Sequence, residues 1–429
     1  LDPTANRLSP LLDRLVNHER ERPNQALWDL APTAHLLARP GAAPPPRPAV
    51  QVGGSKGKGT TCAMFAALLQ RAGRRAGVYT SPHLQTLRER IAVAGELVPV
   101  EVLERILREL LAVPAERPPT FFEALTVAAA QWFAEQRVDL AVYEVGLGGR
   151  LDATTALPVD ASVLTTVELE HTDLLGDTVE AIAGEKAAIV RPGGLGCTAV
   201  QGAALDVLQR HAAEVGARLL VLDRDFGIVR LRERDGVLTG NLWLPERLVP
   251  FALRGGALFE LPALALAAAT LDTLLPGVLG SEVQLDRPAT PARFEVFSQP
   301  DGGVVIVDGA HTEHSLAAVA AELARRYPGR KIGLLFGSAA GKRWRAGLSS
   351  LLPCVDTAYV SAVTGTSSED PSTIVAHLRG HGIAAEQVDG VEAGLAALAA
   401  RGGIRLVAGS FYLAGAARQR LAPSSPAQS

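Results

Sequence analysis

Two lysines, two threonines and four glycines fall within the ten residues Val52-Gly53-Gly54-Ser55-Lys56-Gly57-Lys58-Gly59-Thr60-Thr61. Such a mixture suits a polyanion. Glycines leave backbone N–H groups uncovered, lysine adds a point charge, and a hydroxyl can meet a cation that travels with phosphate. An apolar run over Ala49 to Val52 precedes the turn and a helix-like run over Cys62 to Leu69 follows it. The turn therefore joins a strand to a helix, and its N–H groups and the helix N-terminus would face the phosphates of a nucleoside triphosphate. Gly54, Ser55, Lys56, Gly57, Lys58, Gly59, Thr60 and Thr61 form this candidate cradle, with Lys58 as the charge and Thr60 as the hydroxyl for magnesium. Gly59 separates lysine from threonine, a departure from G-x-x-x-x-G-K-[ST]. A glycine turn used only for packing is the plainer alternative, and the two lysines weigh against it.

Two further stretches carry chemistry. In Asp139 to Thr154 an apolar strand ends at Glu144 and breaks into Gly146, Gly148 and Gly149. A carboxylate at a strand end beside a phosphate loop can bind magnesium directly or through water. Gly146-x-Gly148 lacks the third glycine of a dinucleotide fingerprint. The segment Glu170 to Thr178 follows the next strand and leads into a helix carrying Glu185 and Lys186. Strand-end placement would bring His171 near Glu144, where a neutral imidazole can serve as a metal ligand. The structural alternative for Lys186 is an ion pair with Glu185 or Asp177.

These residues need a scaffold that gathers strand ends. Apolar runs at 49–52, 77–79, 140–145 and 162–166 alternate with helix-period segments such as 100–111 and 122–135, which implies a mostly parallel α/β sheet. A second series, 304–307, 332–336, 358–360 and 404–408, alternates with helical patterns at 315–326 and 371–379. The length of 429 residues favours two domains. We expect a P-loop parallel-sheet domain over 1–287, a proline-rich hinge over 288–292 and a smaller α/β domain over 293–429. Alternations around Gly236 and Gly240 suggest hairpins late in the first domain, and 423–429 reads as a disordered tail.

With 42 basic and 45 acidic side chains, the formal charge of −3 gives no electrostatic case for nucleic acid or an anionic membrane. Cys62, Cys197 and Cys354 lack zinc spacing and suit buried thiols in a reducing compartment. No basic-then-apolar segment opens the sequence, and the most apolar stretch, 261–271, is too short to span a bilayer. A cytoplasmic, small-molecule enzyme acting as a single chain is the expectation.

The motifs taken together resemble the folylpolyglutamate synthase/dihydrofolate synthase family of Mur-ligase-type ATP-dependent amide ligases. They are Gly53 to Thr61, Tyr79 to Leu84, Glu89-Arg90-Ile91, Thr120 to Glu123, Glu144 to Thr154, Glu170 to Thr178, Glu185-Lys186, Asp308 to His311 and Gly409 to Leu413. The resemblance implies a P-loop ATPase domain followed by a Rossmann-like ligase domain. ATP would phosphorylate a carboxylate of dihydropteroate or a folate, and the amine of L-glutamate would displace the phosphate. It implies Thr60, Ser81, Glu144, His171 and a carbamylated Lys186 around magnesium, Lys58 and the loop on the β- and γ-phosphates, Arg293 toward the nucleotide, Lys342 toward the phosphates of the nucleotide or glutamate, and Asp308 and His311 toward the acyl phosphate and glutamate. Phe121 and Phe122 would lie by a pterin pocket or in the core. Glu170 stands where the family usually has aspartate, and Thr312 where it has asparagine. Gly255 to Ala263 lacks the usual His-Gln and Asn of adenine recognition, and Gly341 and Arg343 replace aspartates beside Lys342.

Overall fold

The computed structural model describes residues 3–17 and 28–422, so the tail expected over 423–429 lies outside the described residues. The chain forms two compact units, Leu1–Pro288 and Ala289–Ser429.

The first unit is built on eight strands: β1 (Ala49–Gly53), β2 (Ala76–Tyr79), β3 (Ile91–Val93), β4 (Glu96–Leu97), β5 (Leu140–Glu144), β6 (Ala161–Leu164), β7 (Leu195–Thr198) and β8 (Arg218–Val221). Their order is β4-β3-β2-β5-β1-β6-β7-β8. In sheet order from β2 to β8 every pair is parallel, and only β3 runs against the rest, pairing antiparallel with both β2 and β4. Every residue of β1, β5 and β6 is buried, as central strands covered on both faces require. The two-residue period of a strand sends alternate side chains to opposite cores. Val50, Val52 and Val142 join the helix Lys58–Arg71 and the helix Leu261–Leu274 on one face. Ala49, Ala141 and Tyr143 join the helix Phe121–Glu135 on the other. The apolar stretch 261–271 is thus a core helix, and no helix among the described residues is long and apolar enough to cross a membrane.

A smaller sheet follows in the order β12-β11-β10-β9, from β9 (Gly227–Arg234), β10 (Val237–Trp243), β11 (Leu248–Arg254) and β12 (Val283–Asp286). Gly236 makes the hairpin turn between β9 and β10 with φ +73°. Gly240, expected near a turn, lies inside β10 beside a register shift between Thr239 and Asn241. A Cβ there would stand 3.0 Å from the Phe251 ring, so close strand packing explains this glycine.

The second unit carries β13 (Glu295–Ser298), β14 (Val304–Val307), β15 (Ile332–Phe336), β16 (Val355–Val360), β17 (Ala384–Gln387) and β18 (Ile404–Ala408), ordered β13-β14-β18-β15-β16-β17. Only β13 is antiparallel. Both units are therefore α/β with mostly parallel sheets, the class expected of the sequence.

Candidate functional site

The helix after β1 begins at Lys58, four residues earlier than its apolar pattern, because Gly57 supplies a left-handed cap at φ +84°. Thr61 N–H is the first to reach a helical acceptor, the Gly57 carbonyl at 2.9 Å. The N–H groups of Lys58, Gly59 and Thr60 precede it and have no acceptor within the helix, which makes this end attractive to an anion. The loop is pinned to the end of β6: Ser55 N–H donates to Thr166 O at 2.8 Å, and Lys56 N–H to Thr166 Oγ1 at 2.9 Å. Gly54 has φ +134°, and a Cβ there would lie 2.0 Å from Thr165 Oγ1. Lys58 Nζ donates to Gly54 O at 2.9 Å, which folds the ammonium over the loop.

Four adjacent parallel strands end at this loop's level, the edge where open α/β sheets bind ligands. Val52 of β1 is paired with Glu144 of β5, which is 3% exposed. One Glu144 oxygen accepts from Ser81 N–H at 3.0 Å, which ties the end of β5 to the segment after β2. Beyond Glu144, the buried Asp152 accepts from Gly146 N–H at 2.9 Å, Leu147 N–H at 3.1 Å and Thr154 N–H at 3.0 Å. Burial pushes its carboxyl up, and those bonds pull against the rise. The glycines thus close a loop around a carboxylate. Gly149 has a different task, since a Cβ there would lie 2.6 Å from Glu185 O. Its absence lets the helix Val179–Ala187 lie against the loop and brings Lys186 inward.

Lys186 is 2% exposed. Its partner is neither Glu185 nor Asp177 but Glu170, at 3.3 Å; Glu185 is taken by Arg150 at 3.1 Å. The other Glu170 oxygen lies 3.3 Å from Lys56 Nζ. Burial alone would raise the Glu170 carboxyl, but the charges of Lys186, Lys56 and Lys58 prevail and bring it down to about 2. Burial, reinforced by the charge of Lys58, lowers Lys186 to about 8 against the pull of Glu170. His171 follows in the left-handed region at φ 49°, exposed, and opens the short helix Thr172–Leu175. Among the described residues no three His, Cys, Asp or Glu side chains gather into a metal cluster. The donors at these strand ends are mainly hard oxygens, the Thr60 and Ser81 hydroxyls and the Glu144 carboxylate, with the His171 imidazole. That set suits magnesium, which keeps few protein ligands and relies on substrate phosphates.

Nearby, Phe121 is buried with the Arg90 guanidinium 5.1 Å above its ring. Phe122 packs with Tyr79 at 5.6 Å, and a Cβ at Gly146 would lie 2.6 Å from it.

In the second unit Asp308 follows β14 and is 8% exposed, with one oxygen accepting from Phe294 N–H at 2.7 Å and the other from Ala310 N–H at 2.6 Å. It fastens the turn that carries Arg293 and His311. The Phe411 ring lies 6.0 Å from the His311 ring and 5.6 Å from the Arg293 guanidinium, so the three form one surface. Thr312 caps the helix Glu313–Arg326, accepting from Ser315 N–H. Lys342 stands exposed in the loop after β15 and makes no ion pair among the described residues.

Where the resemblance leads one to expect His-Gln, the chain has a buried ion pair instead. Glu260 is fully buried, accepts from Ala257 N–H at 2.9 Å and pairs with Arg287 at 2.8 Å. Leu258 beside it is 41% exposed. Sequence reading did not single out Glu170, Asp152, Thr165, Thr166 or Phe411 as site residues. Glu170, Asp152 and Phe411 lay inside motifs of the resemblance, whereas Thr165 and Thr166 carried no signal beyond their place at the end of an apolar run.

Two protein-family descriptions match the chain, the Mur ligase middle domain over residues 52–221 and the Mur ligase glutamate ligase domain over residues 292–411. A probable bifunctional folylpolyglutamate synthase/dihydropteroate synthase of Halobacterium salinarum is 33% identical over 86% of this chain and 46% of its own length. The chain spans about half the length of that relative and of its Haloferax volcanii counterpart. The dihydrofolate synthase/folylpolyglutamate synthase of Escherichia coli is 30% identical over 95% of each chain. The bifunctional folylpolyglutamate synthase/dihydrofolate synthase of Yersinia pestis, solved with AMPPNP and a Mn ion, is similar with a TM-score of 0.80 at 27% identity over 98% of each chain.

Proposed function

This chain belongs to the folylpolyglutamate synthase/dihydrofolate synthase family, and from that we propose that it is an ATP-dependent ligase joining L-glutamate to dihydropteroate or a reduced folate. The observation that carries the reading is the shared level of the phosphate loop, Glu144, Ser81 and the Glu170–Lys186 pair at four neighbouring strand ends. Transfer of a γ-phosphoryl group asks a protein for placement and charge neutralisation rather than a nucleophilic side chain. The N–H groups of Lys58, Gly59 and Thr60 and the ammonium of Lys58 supply both. Gly54 and Gly57 keep the backbone close enough to reach the phosphates.

Thr60, Ser81, Glu144 and His171 would hold magnesium, which when bound screens phosphate charge and polarises the phosphoryl oxygens. The low Lys186 pKa supports its conversion to a carbamate, since a neutral amine is the form that takes up carbon dioxide. In the second unit we assign Arg293 to the nucleotide, and His311 and the Asp308 turn to the acyl phosphate and incoming glutamate. Phe411 holds His311 and Arg293 in place. Lys342 is exposed and makes no ion pair among the described residues, which leaves it available to an anionic substrate. The three cysteines are free, in keeping with a reducing, cytoplasmic setting.

The test uses purified protein with ATP, magnesium, L-glutamate and either dihydropteroate or tetrahydrofolate. Phosphate release coupled to one added glutamyl mass on the pterin is expected. Phosphate released without such a product would move the assignment to another carboxylate. The replacement of polar groups around Leu258 gives that second reading its support.

A further inference from the structure

We propose that this chain holds the base of its nucleoside triphosphate against an apolar wall, the turn carrying Leu258 and Phe259, and so accepts guanine nearly as well as adenine. The inference rests on the nucleotide reading above and concerns the specificity of that same site. Placement of the wall follows from two helices. Met64, Phe65 and Leu68 of the helix Lys58–Arg71 share one core with Leu264, Ala267 and Leu271 of the helix Leu261–Leu274. Arg71, at the end of the first helix, donates to Leu279 O at 3.1 Å, just past the end of the second. Each helix has 14 residues, so their starts are level as well, at the height of the phosphate loop. Helices packed side by side stand about 8–10 Å apart, a gap that a ribose and base can bridge from phosphates seated at Lys58. The loop's other flanks are taken: Thr165 N–H donates to Gly53 O at 3.0 Å on one side, and Val52 pairs with Glu144 on the other. The turn Leu258–Glu260, at the start of the second helix, is the flank left for the base.

What that turn offers is apolar. From Gly255 to Ala263 the one polar side chain is Glu260. It is fully buried, and its carboxylate accepts from Ala257 N–H at 2.9 Å and pairs with Arg287 at 2.8 Å, so it faces inward. The side chains left toward solvent are Leu258, which is 41% exposed, the half-buried Phe259 and the exposed Pro262. None of the three carries a donor or an acceptor. Adenine and guanine differ at their edges, where one has an amino donor and the other a carbonyl acceptor, while their faces present similar apolar area. A polar reader separates such edges strongly, because the wrong base strands a buried group without its hydrogen bond. An apolar wall has no group to strand.

The experiment is calorimetric titration of the full-length protein, with magnesium, against the non-hydrolysable analogues AMPPNP and GMPPNP. Their dissociation constants are expected to agree within about tenfold. Leu258→Ala should weaken both by the same factor, roughly three- to tenfold, through lost apolar contact, with an unchanged melting temperature because Leu258 lies outside the core. A preference for AMPPNP beyond tenfold in wild type overturns the proposal. A Leu258→Ala variant that binds both analogues as wild type does, or loses AMPPNP alone, overturns it too. Failure of wild type to bind either analogue overturns the nucleotide reading itself, whereas binding of AMPPNP with GMPPNP rejected overturns only the apolar reading of the base.

Discussion

Glu170 binds protons less readily than an ordinary glutamate because three lysines face it, and that difference has a thermodynamic signature. Its carboxyl falls from the ordinary 4.5 to about 2. The native state therefore holds fewer protons than the unfolded chain in that window. The stabilisation is complete above pH 4.5 and drains away as the pH falls toward 2. Lys186 acts in the alkaline range. Its amine is lowered from 10.5 to about 8, so the unfolded chain binds more protons between those values and stability recovers as the pH rises through them. Urea unfolding of Glu170→Gln across the acid range is expected to show a shallower loss of stability than wild type. Identical acid profiles would remove Glu170 from the account. The carbamate reading of Lys186 makes a separate prediction. Activity should rise on adding bicarbonate, most strongly near pH 8, where the neutral amine becomes abundant; isotope-labelled carbon dioxide should then give a carbamate carbon signal that Lys186→Gln lacks.

At the level of elements, the phosphate loop depends on a glycine with no room for a side chain. Gly54→Ala would combine φ +134° with a Cβ 2.0 Å from Thr165 Oγ1, so the end of β6 must move. We expect a loss of ~1–3 kcal/mol in stability together with loss of nucleotide binding. Gly73→Ala is the matched control: it too is left-handed, at φ +67°, but has open space around it. It should cost ~1–2 kcal/mol and leave nucleotide binding unchanged. Retained binding in Gly54→Ala would mean that the loop tolerates a different path. Much of this level was legible in the sequence. The helix Val100–Leu111 and the strands β14, β15 and β18 are read to the residue, because predominantly apolar runs or a clean helical period mark them. The start of the helix at Lys58 was not, since a left-handed Gly57 cap has no hydrophobic signature. Strands β7, β8, β12 and β13 are short and each includes glycine, polar or charged residues, which left too little pattern. The contacts of Glu170 with Lys56 and Lys186 were hidden for another reason. Its partners lie 114 and 16 residues away, and only the parallel register of β1 and β6 brings Lys56 to it.

For the whole molecule, the division at Pro288 and Ala289 separates the phosphate loop from the Asp308, His311 and Phe411 surface. A fragment comprising residues 1–288 is expected to bind the ATP analogue with affinity comparable to the full chain but to form no glutamyl product. Failure of the fragment to bind, with its fold intact by circular dichroism, would show that Arg293 or another residue of the second unit is required for nucleotide affinity. The boundary also has a mechanical side. The first unit ends in β12, which lies parallel to β11 through the pairs Phe251 with Val283, Ala252 with Gln284, Leu253 with Leu285 and Arg254 with Asp286. The next residue, Arg287, is anchored to the fully buried Glu260. A pull on the chain beyond residue 288 would load those ladder bonds in shear, all sharing the force, rather than peel them apart singly. The helix that follows the phosphate loop shares that load, since Arg71 at its end donates to Leu279 O at 3.1 Å just ahead of β12.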